Sequence, residues 1–147
     1  RARARGLLAS QRTTTMTKQT LKIELIRAYE AIPRDNGHYR VLVDRLWPRG
    51  VKKEDLDIDV WLKELSPSSE LRKWFDHDPE RWEEFRKRYF KELSKVQDQV
   101  SKMLEDAGKR TVLLIYGAKD KEHNQAVALK EWIEAHASKL KTLVSEE

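Results

Sequence analysis

The chain has 147 residues, a length typical of one domain with a single hydrophobic core. It contains no cysteine, which excludes a thiol nucleophile, a disulfide framework and any cysteine-ligated zinc or iron–sulfur site. Its formal net charge is +5, but four of the 30 basic residues lie before Met16, which leaves 26 against 25 acidic residues and argues against nucleic acid as a partner. No apolar run is long enough to cross a bilayer, so we expect a cytoplasmic protein without a membrane partner.

Residues 1–20 are predicted to lie outside the fold. The first fifteen are rich in arginine and threonine, contain no acidic residue and show no periodicity. This composition fits either a transit peptide or an upstream extension before Met16, and we favour the extension. We expect a disordered leader there, a single folded domain over residues 21–140, and a C-terminal tail over residues 141–147.

Three apolar segments predict β-strands. The first is residues 21–29 and the second is residues 39–44, with the turn sequence PRDNG between them. The third, residues 111–116, is aliphatic and β-branched. Helical segments separate the second strand from the third, an order that favours parallel pairing. We therefore expect an α/β fold whose small, largely parallel sheet has three strands or slightly more.

Two short helices are predicted after the second strand. Residues 52–55 form a charged loop, and residues 57–65 have one apolar side at helical spacing. Ser66 or Ser68 caps the next helix, with Pro67 in its first turn, where a missing N–H costs nothing.

A longer helix follows. Asp78 caps it, and its apolar residues over 79–107 are spaced three and four apart. At 1.5 Å per residue such a helix is about 40 Å long, which suggests a kink near Ser94. Gly108 is a suitable residue to end it.

The final helix follows the third strand. Asp120 is expected to cap it, and it extends to about Leu140. The predicted order of elements is β-β-α-α-α-β-α, with the helices packed on the sheet.

Three motifs resemble one known family. They are VLVDRLWPRGVKKEDL, LRKWFDHDPERWEEFRKRY and TVLLIYGAKDKEHNQAVALKEW, and together they span about residues 23–132. They resemble the YeaO-like proteins, a branch of the DUF488 group of domains of unknown function. The resemblance implies a compact α/β domain of bacterial or archaeal cytoplasmic type, and no activity. One departure is Gln125, where the family pattern leads us to expect histidine. The resemblance singles out Asp44, Arg45, Trp47, Pro48, Arg49, Gly50, Arg72, Trp74, Asp120, His123 and Asn124.

The segment DRLWPRG, residues 44–50, indicates where a site lies. It places charges and an indole directly after a buried strand, and ligands of open α/β sheets bind beyond the carboxyl ends of the strands. If the second and third strands are parallel, this segment meets residues 116–124 at one edge, beside the amino end of the last helix. Arginines there suit a phosphate or carboxylate, and Trp47 suits a planar ligand such as a nucleobase. The predicted ligand-binding residues are Arg45, Trp47, Arg49, Arg72, Tyr116, Asp120 and Asn124.

Two residues are candidates for proton transfer. His123 is the imidazole at this edge and is the natural general acid or base, with Asp44 as its orienter or as a second base. Each candidate also has a structural interpretation. Asp44 and Arg45 can form an ion pair that closes the strand, Trp47 can pack under the loop, and His123 can satisfy only local hydrogen bonds.

No metal or cofactor is predicted. The sequence Asp76-His77-Asp78 resembles a metal cluster, but Asp78 before Pro79 is explained as a helix start, and only one imidazole is present. A phosphate-binding glycine loop and a dinucleotide fingerprint are both missing from the sequence.

Two functions remain open. The first is a site for a small anionic or nucleotide-like ligand, with or without a reaction. The second is a non-enzymatic interaction module that binds protein or nucleic acid through the basic loop over residues 45–53. Its cations are Arg45, Arg49, Lys52 and Lys53, with Arg72 and Lys73 close to it. The oligomeric state is not set by these features.

Overall fold

The computed structural model describes residues 21–30, 33–137 and 140, so the predicted leader and tail lie outside the described residues. The strands of this part are β1 Ile23–Arg27, β2 His38–Leu42, β3 Val60–Trp61 and β4 Thr111–Tyr116. The α-helices are α1 Lys53–Leu56, α2 Ser69–Phe75, α3 Trp82–Ser94, α4 Gln97–Ala107 and α5 Gln125–Ala135. Short 3-10 helices cover Ala28–Glu30, Lys63–Leu65 and Pro79–Arg81. Within the described ranges, no helix combines the length and apolarity needed to cross a membrane.

The four strands form one parallel sheet in the order β1-β4-β2-β3. In its register, Leu114 of β4 lies opposite Leu25 on one side and Val41 on the other. The α/β class and the parallel pairing of β2 with β4 are therefore confirmed. Because all strands run the same way, every strand ends at the same edge of the sheet.

Both faces of the central strands β2 and β4 are buried, which explains the continuous aliphatic run of β4 and the aliphatic residues that end β2. Val41 and Leu114 pack into the larger core, to which helices α2 to α5 contribute. Leu42 and Ile115 point to the opposite face and join a smaller core with Leu56 of α1. The helices therefore lie mainly on one face, and loops and α1 cover the other.

The secondary structure predicted for residues 52–65 is wrong. The charged loop contains helix α1, and the predicted helix over 57–65 is replaced by strand β3 and a 3-10 helix. Asp57 ends α1 in the left-handed conformation, with φ of 48°, and the chain then extends. Val60 pairs with Val41 of β2. Pairing with the sheet overrides a helical spacing that rested on a few residues.

The longer helical segment begins and ends as predicted, and the kink predicted near Ser94 is a complete break between two helices. Asp78 accepts a hydrogen bond from the Glu80 N–H at 3.0 Å and starts a 3-10 helix that leads into α3. Helix α3 ends at Ser94 and α4 begins at Gln97, so the expected kink separates two helices. Gly108 follows α4 with a positive φ of 63°, which suits a residue without a Cβ.

Ser68, one of the two predicted caps, begins α2. Its Oγ accepts a hydrogen bond from the Leu71 N–H at 3.2 Å. Glu92 of α3 in turn accepts from the Ser68 N–H and hydroxyl, at 2.9 and 2.6 Å. Pro67 therefore precedes the cap and does not lie in the first turn, because the cap is the later of the two serines.

Candidate functional site

A cleft of about 710 Å³ opens at the carboxyl edge of the sheet. Its walls come from the loops that follow β2 and β4, from helix α2 and the turn after it, and from the start of α5. This is the edge at which the sequence predicts a site. The predicted catalytic and ligand-binding residues that line it are Asp44, Arg45, Trp47, Arg72, Asp120, His123 and Asn124.

Two of the predicted residues do not line the cleft. Tyr116 is the last residue of β4 and is buried in the core, where burial raises the pKa of its hydroxyl. Arg49 is exposed beyond the cleft, and its carbonyl accepts a hydrogen bond from the Tyr29 hydroxyl at 3.0 Å. The main chain of Arg49 therefore ties the loop after β2 to the 3-10 helix that follows β1.

Asp44 lies in the cleft two residues after β2. Its carboxylate accepts hydrogen bonds from the side-chain amide of Gln125 and from the Gly117 N–H, and its carbonyl accepts from Trp61 Nε1 at 2.7 Å. Burial raises the pKa of Asp44 to about 6, although both donors and the charge of Arg72 favour the ionised form. The Asp44 carboxylate is thus held in place and is poised to gain a proton near neutral pH.

Gly117 makes this arrangement possible. A Cβ at position 117 would lie 2.8 Å from Oδ2 of Asp44, a distance that real side chains avoid. A glycine directly after β4 therefore lets the carboxylate approach the main chain and accept its N–H.

His123 is paired with Asp120 and not with Asp44. Its Nδ1 lies 2.9 Å from Oδ2 of Asp120, and its ring meets Trp82 edge-on with centroids 5.4 Å apart. Hydrogen bonds from the Glu122 N–H and from His123 lower the pKa of Asp120, so this carboxylate is ionised and Nδ1 donates. Nε2 has no hydrogen-bond partner in the part of the chain that the structure describes. Asp120 is thus the residue that orients this imidazole.

The last helix begins later than predicted. Asn124, and not Asp120, caps α5: its Oδ1 accepts from the Val127 N–H at 3.0 Å. Its amide also donates to the Asp120 carbonyl at 2.9 Å, and the side chain is buried. Asp120 instead closes the preceding turn, where it accepts from the Glu122 N–H at 2.9 Å. The polar groups of Asn124 are therefore largely used by the fold.

Trp47 packs under the loop, and its predicted contact with a planar ligand stays a prediction. Its Nε1 donates to the Val51 carbonyl at 2.6 Å, and its ring packs edge-on against Trp61 with centroids 5.5 Å apart. The ring nevertheless lines the cleft and stays partly exposed. Its indole N–H stabilises the loop, so only the ring surface is free to contact a ligand.

Cations in the cleft outnumber carboxylates. The cations are Arg45, Arg72, Lys73 and Lys119, and within residues 21–30, 33–137 and 140 none of them forms an ion pair. The carboxylates lining the same cleft are Asp44 and Asp120. The resulting positive field favours an anionic ligand.

One wall of the cleft is apolar and exposed. Leu46 is 72% exposed and Tyr29 is 49% exposed, and both line the cleft beside Trp47 and Pro48. They are the large hydrophobic residues that the described part leaves most open to solvent. A ligand with both a charged group and a planar apolar group would fit the two kinds of wall.

Several lining residues were not predicted. Lys119 and Gln125 flank Asp120 and Asn124 in a segment that the sequence had already assigned to the site, so their position was a usable signal. His77 was considered only as a metal ligand. His77 lines the cleft, and its backbone is in the left-handed region, with φ of 55°. Among the described residues, no group of three or more His, Cys, Asp or Glu side chains could hold a metal ion.

Comparisons with known proteins agree with the resemblance noted in the sequence. The YeaO protein of Escherichia coli (strain K12), named uncharacterized, is 40% identical over 113 residues, which cover 77% of this chain and 97% of that protein. Uncharacterized proteins of Mycobacterium tuberculosis (strain ATCC 25618 / H37Rv) and Mycobacterium bovis (strain ATCC BAA-935 / AF2122/97) are each 47% identical over 78 residues. Those residues cover 53% of this chain and 64% of each mycobacterial protein.

No solved structure matches the chain significantly. The profile of one family, described as the inactive DUF488-N3 subclade, matches residues 22–146. That match covers more than half of the chain, and the similarity to YeaO covers nearly all of the bacterial protein. The chain therefore belongs to the DUF488-N3i family.

Proposed function

We propose that this protein binds a small anionic, nucleotide-like ligand in the cleft at the carboxyl edge of its sheet. The observation that carries the proposal is the set of four cations without ion-pair partners in the described part, namely Arg45, Arg72, Lys73 and Lys119. Several other arginines of this chain are paired with neighbouring carboxylates, whereas the cleft brings these four cations together without such partners. A bound phosphate or carboxylate would supply the missing charge.

The apolar wall supports the nucleotide-like part of the proposal. The ring of Trp47 and the exposed side chains of Tyr29 and Leu46 offer a surface on which a planar group can lie. The cationic residues of α2 line the same cleft. One ligand with a planar group and an anionic group can therefore use both walls.

Binding without turnover is the simpler form of this function. The matching family is described as inactive, and its relatives carry no named reaction. The pair His123 and Asp120 is nevertheless built like an acid/base dyad, with an imidazole oriented by a carboxylate. Each ligand that binds is therefore also incubated with the protein and analysed for product.

The test is a binding panel. Thermal shift and calorimetry are run with nucleoside monophosphates, sugar phosphates, inorganic phosphate and simple carboxylates. Arg72→Ala and Lys73→Ala should each weaken binding of a phosphate-containing ligand about tenfold, since each removes a charge-assisted contact. Lys87→Ala is the matched control: Lys87 is an exposed helical lysine outside the cleft and should leave affinity unchanged.

The panel also decides the predicted role of Arg49. If Arg49→Ala weakens binding as strongly as Arg72→Ala, the loop moves its guanidinium to the ligand. Failure of every panel member to stabilise the wild-type protein contradicts the proposal, as does equal binding by Lys73→Ala and Lys87→Ala.

The basic loop supports a second candidate, an interaction module for a protein or a nucleic acid. Arg45, Arg49, Lys52 and Lys53 are all exposed, and Leu46 extends between them into solvent. A labelled DNA or RNA oligonucleotide should then bind with an affinity that falls steeply with salt, and Lys52→Ala with Lys53→Ala should reduce that slope. Salt-independent or undetectable binding removes the nucleic-acid form of this candidate.

We place either function in the cytoplasm. This proposal rests on the resemblance to bacterial relatives and agrees with a chain that contains no cysteine. Fractionation of cells that express the protein, followed by detection in the cytosolic fraction, tests it.

A further inference from the structure

We propose that Asp44 controls entry of an oxyanion into the cleft: it takes up one proton as the ligand binds and donates that hydrogen to a ligand oxygen. This inference rests on the proposed function, because it concerns the same cleft. It adds a residue that selects ligands rich in hydrogen-bond acceptors and makes their affinity depend on pH.

The geometry keeps Asp44 in the path of a ligand. Asp44 lines the cleft, and its carboxylate is fixed between the Gly117 N–H and the amide of Gln125. A Cβ at position 117 has no room beside it, which shows how closely the carboxylate approaches the main chain. A ligand anion drawn by Arg72 therefore enters a space that Asp44 already shares with that cation.

An ionised Asp44 opposes such a ligand, since two negative charges a few ångströms apart repel each other. A protonated Asp44 favours it, because a carboxylic acid donates a hydrogen bond to an oxyanion. Burial already raises the pKa of Asp44 to about 6, so a small further rise in this pKa is enough to protonate Asp44 at neutral pH. The charge of the bound anion raises this pKa further, and solvent supplies the proton.

The other charged and titratable groups around Asp44 lie on α2, on α3 and in the remaining walls of the cleft. Arg72 and Lys73 lie on α2, and the charge of Arg72 favours the ionised carboxylate. Burial raises the pKa of the Tyr89 hydroxyl on α3, and the negative charge of Asp44 raises it further, so this hydroxyl stays neutral. The remaining charged or titratable residues of the cleft are Arg45, His77, Lys119, Asp120 and His123.

His77 and His123 offer an alternative explanation for anion binding that weakens as the pH rises, because a protonated imidazole also attracts an anion. The direction of mutational effects separates them. Removing the charge of Asp44 should strengthen anion binding at high pH, whereas removing His77 or His123 should weaken it at low pH.

The experiment uses sulfate, whose charge is constant over the pH range of interest. Binding to the full chain is measured by calorimetry at pH 5.5, 6.5 and 7.5, in buffers of different ionisation enthalpy so that proton uptake is counted. Wild-type affinity should fall with rising pH by up to tenfold per pH unit above about 6, with uptake approaching one proton at pH 7.5.

Asp44→Asn should abolish this uptake, because its amide presents a permanent donor in the place of the protonated acid. At pH 7.5 it should bind sulfate roughly tenfold or more tightly than the wild type, and at pH 5.5 about equally. Gln125→Leu removes one donor to the carboxylate and should move the midpoint of the pH profile upward. His77→Gln and His123→Gln should retain most of the proton uptake.

The outcomes distinguish this inference from the proposed function. Sulfate binding that Asp44→Asn weakens, or whose pH profile it leaves unchanged, overturns the role of Asp44 and leaves the anion site in place. Loss of the pH dependence in His123→Gln but not in Asp44→Asn does the same. A wild-type protein that binds neither sulfate nor any member of the ligand panel overturns both.

Discussion

Asp44 should also make the folded protein less stable above about pH 6. In the unfolded chain its pKa is near the ordinary 3.8, and in the fold it is about 6. The folded state therefore holds this proton more tightly, so the contribution of Asp44 to stability is fully favourable below about pH 4. It is lost as the pH rises to about 6, and the free energy of unfolding stays reduced above that.

The size of this effect follows from the shift. Two pH units correspond to about 3 kcal/mol at 1.36 kcal/mol per unit, and solvent in the open cleft screens part of that. Asp44→Asn replaces the carboxylate with a neutral group that retains one acceptor. We therefore expect Asp44→Asn to raise the free energy of unfolding by about 1–2 kcal/mol at pH 7, with the gain disappearing near pH 4.

Urea denaturation followed by tryptophan fluorescence at pH 4, 5, 6 and 7 measures the difference between variant and wild type, in which the titration of all other groups cancels. Asp55 is an exposed aspartate in α1, and Asp55→Asn is the control, which should change stability by less than about 0.5 kcal/mol. A destabilisation by Asp44→Asn at pH 7, or a gain that is the same at pH 4 and pH 7, would refute the assignment of the raised pKa to this carboxylate.

Three further predictions concern the framework of the site. Gly117→Ala should cost about 1–3 kcal/mol of stability, because its Cβ meets the carboxylate of Asp44, but less than about 0.5 kcal/mol in an Asp44→Ala background. Equal costs in the two backgrounds would exclude the steric cause. Tyr89→Phe should cost about 1–3 kcal/mol in urea denaturation, since it leaves a buried carbonyl without its donor, whereas the exposed Tyr29→Phe should change stability by less than about 0.5 kcal/mol. Asn124→Ala should cost about 2 kcal/mol and Asn124→Asp much less, because only the second keeps an acceptor for the first turn of α5; similar losses in both would argue against the cap.

The strands of the central sheet could be predicted because their sequences carry a strong signal. Strand β4 is buried on both faces and appears as a continuous aliphatic run, whereas β2, with the sequence HYRVL, carries this signal only at its end, in Val41 and Leu42. Strand β3 could not be found in this way. It has two residues, and its existence depends on pairing with Val41 and Leu42, which no local pattern records.

The position of the cleft was predictable for a similar reason. Parallel strands end at one edge, so polar residues after β2 and β4 had to converge there, and the cleft contains seven of the nine residues proposed from the sequence. The hydrogen-bond partner of His123 could not be predicted from the sequence. Spacing alone does not decide whether Asp44 or Asp120 faces His123, because that depends on how the turn before α5 folds.

The turn after β4 shows how folding and binding divide the same polar residues. Asn124 and Asp120 are both short polar side chains before a helix, and either could have capped it. Because Asn124 takes the cap, Asp120 is released to close the turn and to orient His123, and Gln125 begins the helix with its amide on Asp44. Side chains that the fold already satisfies have little left to offer a ligand. By this reasoning the groups that remain available in the cleft, among the described residues, are the cations without ion-pair partners and Nε2 of His123, and Asp44 becomes available only as the donor that a bound proton would make it.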